Sequence, residues 1–523
     1  MEIRKNDVLE LEIVDMSENG EGIGKEIRKE LRTENSKESP CPHKKQEQNR
    51  DQNSSRYTWF VRDAVIGDRI EARAMKMKKH YGFARLLKVQ RPSAARIEAR
   101  CPAASQCGGC QLQTMSYEEQ LRFKERKVYN HLKRIGGLDN LMLPGALEES
   151  GLAGAGALAD GGSTQGEEEK SKLKAGAYVI MEPIIGMKDP WRYRNKAQIP
   201  FGKDKEGNVI YGFYAGRSHR IVECEDCLLG AGENKEILKE IRGWMERFAI
   251  PPYNEETHSG LIRHALIRKG FYTGEIMVCL VINGRAIPHS EELIRRLSGI
   301  SGIKSICFNI NTEKTNVIMG DEVASLSGPL YITDEIGGVT YRISPLSFYQ
   351  VNPRQTVRLY QTALEYAALT GNEIVWDLYC GIGTISLFLA QRARQVCGVE
   401  IVPQAILDAR ENARINGIKN VEFFTGKAED VLPEQYKKEK RHADVIVVDP
   451  PRKGCDTVCL DTIVKMRPAR VVYVSCDSAT LARDVRYLGE RGYEVQRVRC
   501  CDMFGWSPHV ETVCLLTRKN PDI

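Results

Sequence analysis

The sequence predicts an α/β protein: a doubly wound, mainly parallel sheet at the C-terminal end, preceded by a small N-terminal β-barrel and an α+β central region. Three observations predict it. From Glu373 onward, short apolar runs alternate with stretches of helical periodicity, the pattern of successive βαβ units. In the first 92 residues, short strands of alternating polarity are punctuated by glycine, as in a small barrel. Residues 178–343 mix both kinds of segment, and periodicity alone does not order them.

The barrel region comes first, over residues 1–92. Val8 to Val14 alternates apolar and polar residues, and Gly20, Gly22 and Gly24 predict a turn after it. Trp59 to Val61, Arg69 to Ala74 and Gly82 to Val89 read as further strands. Between them, about 26–56 is polar, charged and nearly free of apolar residues, a disordered insertion in a loop. The run from Arg73 to Arg85 is basic with interleaved aromatics. It suits the RNA-binding face of an OB-type barrel, and equally a solvated basic loop.

The central region, 93–343, opens on Cys101, Cys107 and Cys110, followed by a helix from about Tyr117 to Ile135. A Gly/Ala/Glu-rich stretch at about 145–177 predicts a second, flexible insertion. Tyr193-Arg-Asn-Lys-Ala-Gln and Gly216-Arg-Ser-His-Arg add positive charge.

The C-terminal region, 344–523, is the clearest. Strands are expected at Glu373–Tyr379, Gln395–Glu400, Val421–Phe424, Ala443–Asp449 and Arg470–Ser475, with helices between them, and two last strands near Tyr493–Arg499 and His509–Thr517. Ligands of such sheets bind outside the carboxyl ends of the strands, where strand order switches. The first strand leads into Asp377-Leu-Tyr-Cys-Gly-Ile-Gly, whose glycines let backbone approach a ligand. The second ends in Glu400, placed to accept a ribose's two hydroxyls. Both features suit dinucleotides and S-adenosylmethionine alike. The short D-x-x-x-G-x-G form and the turn Asp449-Pro-Pro-Arg favour S-adenosylmethionine.

Ser475-Cys476-Asp477 follows the fifth strand, which puts a thiol at the cofactor edge of the sheet. Cysteine is often merely buried. Here Glu511 opens the last strand, and if that strand is antiparallel its start lies at the same edge. A thiol, a carboxylate and a methyl donor then share a cleft, which suits methylation of uracil at C5. Uracil C5 is a poor nucleophile until a thiolate adds to C6, and a base must then remove the C5 proton. Cys476 is the expected nucleophile and Glu511 the expected base. A uracil in folded RNA must be extruded to reach them.

Composition limits the alternatives. The 523 residues are 42% apolar and 28% charged with a formal net charge of +6, compatible with a nucleic-acid partner. There is no run of 18 apolar residues and no signal-peptide h-region at the N-terminus, so a cytoplasmic protein without a membrane partner is expected. In that reducing setting, 16 cysteines point to metal ligation, catalysis or burial rather than disulfides.

Taken together, Ser344-Pro-Leu-Ser-Phe-Tyr-Gln350-Val-Asn, Asp377-Leu-Tyr-Cys-Gly-Ile-Gly, Asp449-Pro-Pro-Arg, Ser475-Cys-Asp and His509-Val-Glu-Thr resemble the RNA uracil-C5 methyltransferase family. The likeness is greatest to the bacterial branch that carries an N-terminal TRAM domain and modifies 23S ribosomal RNA. It covers most of the chain apart from the two insertions. It implies a Rossmann-like class I methyltransferase domain and a cofactor and base pocket lined by Gln350, Tyr379, Glu400 and Asp449; RNA is the expected partner and a monomer the expected state. The spacing Cys101-x5-Cys107-x2-Cys110 offers three thiolates to zinc or to an iron–sulfur cluster, with Cys224 or Cys227 as fourth. The resemblance implies a [4Fe–4S] cluster with Cys227. Transfer RNA is a second possible substrate. Two other readings are a methyltransferase acting on an exocyclic amine, which needs an aromatic where Arg452 stands, and a non-catalytic, redox-sensing RNA binder.

Overall fold

The structure, a computed structural model, describes residues 3–27, 57–144, 178–438 and 441–519. The expected insertion at 145–177 lies outside the described residues, as does the one at 26–56 except for Glu26 and Ile27. The chain divides into two compact units, the first made of Met1–Ser105, Gly109–Gln120 and Trp506–Pro508.

The first unit is built on a closed barrel of β1 (Val8–Met16), β2 (Gly22–Glu26), β3 (Thr58–Val61), β4 (Arg69–Met77) and β5 (Tyr81–Arg91), in the order β1-β2-β3-β5-β4. Leu9, Leu11, Ile13, Trp59, Val61, Ile70 and Ala72 fill it, the inward half of each alternating strand. Gly22 and Gly24 lie in β2 rather than in the expected turn. A Cβ on Gly22 would stand 2.9 Å from the Ala64 carbonyl oxygen, and one on Gly82 only 2.4 Å from the Trp59 ring. These glycines therefore answer to crowding in a narrow barrel, which periodicity does not register.

The second unit opens with the remainder of the helix Tyr117–Arg134, one residue shorter than expected. Then come β6 (Leu141–Met142) and β7 (Val179–Ile185), which belong to the C-terminal sheet. A central sheet follows, of β8 (Lys196–Lys203), β9 (Val209–Tyr214), β10 (Ile221–Glu223), β11 (Ile262–Lys269), β12 (Ile276–Ile282), β13 (Ile303–Ile310) and β14 (Glu322–Ser327), in the order β10-β9-β8-β11-β12-β13-β14. β12 is buried throughout, so it carries apolar residues on both faces. One face packs on the helices Asn234–Arg247 and Ser290–Ser298 through Ile241, Leu293 and Leu297. The other contributes Leu266, Met277, Cys279 and Cys307 to the core shared with Val375, Val447 and Val472. A hairpin of β15 (Ile332–Ile336) and β16 (Val339–Ile343) leads on to the final sheet.

The final sheet contains β17 (Ile374–Leu378), β18 (Gln395–Glu400), β19 (Val421–Thr425), β20 (Val445–Val448), β21 (Arg470–Ser475), β22 (Tyr493–Cys501) and β23 (Glu511–Arg518). Its order is β19-β18-β17-β20-β21-β23-β22-β7-β6. β17 to β21 run parallel, and β23 is antiparallel to both of its neighbours. Strand order switches at β17, which lies between β18 and β20. This opens a crevice at the strands' carboxyl ends. Among the described residues no helix is long and apolar enough to cross a membrane.

Candidate active site

The crevice is built from turns that leave the sheet. After β17 the chain turns sharply: Tyr379 adopts φ +70°, and the Tyr379 and Cys380 amides both donate to the Val399 carbonyl. A left-handed conformation is uncommon for an aromatic residue and collects at functional sites. Gly381 (φ +56°) has open space where a Cβ would stand, and Gly383 (φ +82°) caps the helix Thr384–Ala390. Glu400 closes β18 with one oxygen accepting from the Gly381 amide (3.1 Å) and the other from the Val402 amide (3.0 Å). Each of those oxygens keeps a further lone pair for a ligand hydroxyl.

Asp377 is fully buried, and its Oδ2 accepts from the Ser386 hydroxyl. Its Oδ1 is buried without a hydrogen-bond partner among the described residues. Burial pushes the carboxyl up to about 7. An orphaned acid oxygen behind a glycine cradle fits a ligand that brings its own donors. S-adenosylmethionine brings an amine, ribose hydroxyls and a base, so Asp377, the 381–383 loop and Glu400 fit it.

On the other side of the crevice, β21 delivers Ser475, Cys476 and Asp477. The Ser475 hydroxyl donates to the Asp477 carbonyl (2.9 Å), and Asp477 Oδ1 accepts from the amides of Ala479 and Thr480 (both 3.0 Å). This N-cap starts the helix Ser478–Gly489 directly after the thiol. The Thr480 hydroxyl also reaches the Arg452 carbonyl (3.1 Å), tying this turn to Asp449-Pro-Pro-Arg452.

A cavity of about 730 Å³ joins the two sides. Gln350, Tyr379, Glu400, Asp449, Cys476 and Glu511, all expected from the sequence, line it. So do Phe348, Arg452, Phe504 and His509, to which the sequence reading gave no role in the pocket. Phe348, Arg452 and His509 belong to sequence motifs, but nothing in one sequence separates a pocket residue from its neighbours. Burial dominates the electrostatics. It raises Asp449 to about 7, and it raises Glu511 to about 8 with help from the Asp449 charge and against Arg452. Cys476 is lifted to about 11, by burial first and then by Glu511 and Asp449, with Arg452 opposing. His509 falls to about 4 through burial and the charges of Arg452, Lys127, Lys124 and Arg194. Its imidazole is therefore neutral at neutral pH.

The expected cluster site is a different matter. Cys101, Cys107, Cys110 and Cys227 are all half-buried. Among the described residues, no group of three or more His, Cys, Asp or Glu side chains stands where it could hold a metal ion. Cys107 pairs with Ala215, the Cys101 amide donates to Gln113, and the Cys227 carbonyl accepts from Arg192.

Comparison with known proteins agrees with this geometry. Residues 310–519 match the family model described as tRNA (Uracil-5-)-methyltransferase. An uncharacterized RNA methyltransferase of Halalkalibacterium halodurans is 45% identical over 99% of this chain and 98% of its own length. One from Clostridium tetani is 42% identical over 98% and 97%. In fold, the chain is similar to the Pyrococcus abyssi tRNA (uracil-54, C5)-methyltransferase solved with S-adenosyl-L-homocysteine. That similarity has a TM-score of 0.70 and 24% identity, and covers 97% of this chain and 99% of that one. The chain belongs to the S-adenosylmethionine-dependent RNA (uracil-5-)-methyltransferase family.

Proposed function

We propose that this protein methylates C5 of a uridine in 23S ribosomal RNA through a covalent adduct between Cys476 and C6. The observation that carries the chemistry is the pairing of β21 with β23. It sets a thiol and a buried carboxyl side by side on the wall of the cavity that Asp377, Gly381 and Glu400 also serve.

When bound, S-adenosylmethionine supplies an electrophilic sulfonium methyl, and Asp377, Glu400 and the glycine loop would hold it. Cys476 gives up its proton and its sulfur bonds to C6, while the C5=C6 electron pair moves toward O4. The nucleophilic C5 then takes the methyl. Glu511, ionised, removes the original C5 proton, the double bond reforms and Cys476 leaves as thiolate. Arg452 is the charge that favours both ionised forms. Phe348 and Phe504 supply aromatic walls for an extruded base. No step calls on Cys101, Cys107, Cys110 or Cys227.

The ribosomal substrate rests on the motif resemblance. Transfer RNA is the second reading, favoured by the wording of the family model and by the archaeal fold neighbour. The test is to incubate the protein and its Cys476→Ala variant with S-adenosylmethionine and 5-fluorouridine-containing RNA, either 23S or transfer. Fluorine cannot leave as a proton, so a denaturation-stable adduct is expected with wild type and not with the variant. Adducts confined to transfer RNA overturn the ribosomal assignment, and none with either RNA overturns the mechanism.

A further inference from the structure

We infer that Lys196 and Arg194 form a seat for an RNA phosphate beside the base pocket, an inference that rests on the RNA-modifying reading above. Lys196 opens β8 and lies directly opposite Arg268 of β11. Opposed residues of an antiparallel pair share one face of the sheet.

Arg268 is buried, and its guanidinium donates to the carbonyls of Pro345 and Ser347, which flank the start of the loop that carries Phe348 and Gln350 to the cavity wall. Asn195 holds the far end of that loop. Its side chain donates to the Gln350 carbonyl (2.9 Å) and its amide to the Val351 carbonyl (2.9 Å). Residues 194–196 are thus fastened to the segment that forms one side of the pocket. Arg194 bears electrostatically on His509, which also lines the cavity.

Three cations therefore gather next to the cavity: Arg194, Lys196 and Arg268. Among the described residues no carboxylate pairs with any of them, and the Arg194 Nε is buried without a partner. Arg268 spends Nη2 on the main-chain carbonyls of Pro345 and Ser347. Arg194 lies over the Tyr193 ring (5.8 Å), and the charges that act on the Lys196 ammonium are the two guanidiniums. Half-buried like charges without a counter-ion oppose one another. Burial and the two guanidiniums push Lys196 down to about 8. A phosphodiester would supply the missing charge. It is also the group that flanks any base drawn out of an RNA strand, and such contacts fix register without reading sequence.

The test is the affinity of the full-length protein for unmodified 23S ribosomal RNA transcribed in vitro, measured over a range of KCl. Lys196→Gln should weaken binding several-fold at low salt and reduce the slope of log Kd against log salt by about 0.7 to 1, as for the loss of a single phosphate contact. Lys196→Arg should keep the wild-type slope. Should Lys196→Gln not fold, Arg194→Gln is read in the same way. A slope unchanged in the glutamine variant, or reduced equally in the arginine variant, overturns the inference. The readout involves no methyl transfer, so it stands apart from failure of the fluorouridine trap.

Discussion

Cys476 and Glu511 flank one cross-strand pair on the cavity wall. β21 and β23 pair antiparallel with Ser475 opposite Thr512, so Cys476 leaves β21 at the edge where Glu511 opens β23, and the Glu511 charge acts on the thiol. Both line the one cavity, so a thiol and a carboxyl are placed to act on adjacent atoms of one pyrimidine ring. On the proposed mechanism the nucleophile and the base stand at one edge of one strand pairing, and the Glu511 charge raises the thiol.

Glu511→Gln should let the first half of the reaction proceed and stall the second. With ordinary uridine RNA and S-adenosylmethionine, the variant is expected to accumulate a methylated covalent adduct, visible as a gel-shifted band. Turnover should fall by roughly 10²- to 10⁴-fold, the usual contribution of a positioned base. A variant that turns over at the wild-type rate would show that another group takes the proton.

The pH dependence follows from the same pair. Glu511 has a carboxyl raised to about 8, chiefly by burial, and works only when ionised. The fraction of active base therefore grows as pH rises toward 8, and kcat/KM should climb from pH 6 to 8 rather than level off near pH 5. The Cys476 thiol is raised in part by the Glu511 charge. In Glu511→Gln the midpoint for alkylation of Cys476, followed by peptide mass spectrometry, should move to lower pH.

Asp377→Asn should stabilise the ligand-free protein at pH 8 while weakening S-adenosylmethionine binding. The Asp377 carboxyl is raised from 3.8 to about 7 by burial. A raised folded-state pKa gives stability that is complete below about 3.9 and is lost as pH rises through the folded value. Asparagine has no such loss, so unfolding should shift up by roughly 1–3 kcal/mol at pH 8 and hardly at all at pH 4. Denaturant melts at the two pH values, with a cofactor titration, check both halves. A variant less stable at pH 8 would show that the ionised carboxylate is well accommodated.

Asp477→Ala removes an N-cap that accepts two amides. The expected loss is about 1–2 kcal/mol of stability, measured by denaturant unfolding. Because Cys476 immediately precedes the cap, the yield of the fluorouridine adduct per folded molecule should fall too. Unchanged adduct yield would mean that the thiol's position is set by β21 alone.

Much of the site was legible in the sequence. The D-x-x-x-G-x-G turn, Glu400, the Asp-Pro-Pro-Arg turn and Cys476 each sit at the end of a short apolar run, and in a parallel sheet such ends converge on one edge. Local pattern therefore located Glu400, Asp449 and Cys476 without knowledge of the contacts, while Gln350 and Tyr379 came from the family resemblance. Other features needed the folded chain. The register that sets Cys476 beside Glu511 depends on pairing residues 35 positions apart, and a one-residue slip would turn Glu511 to the other face. The Gly22 and Gly24 positions and the joining of β7 to β22 depend on packing between distant segments. The same holds for Lys196, which the sequence records only as a basic residue. Composition and periodicity report what a residue is and how it repeats. Burial, register and the company of other charges belong to the tertiary structure, and here they decide which ionisable groups are shifted and what they face.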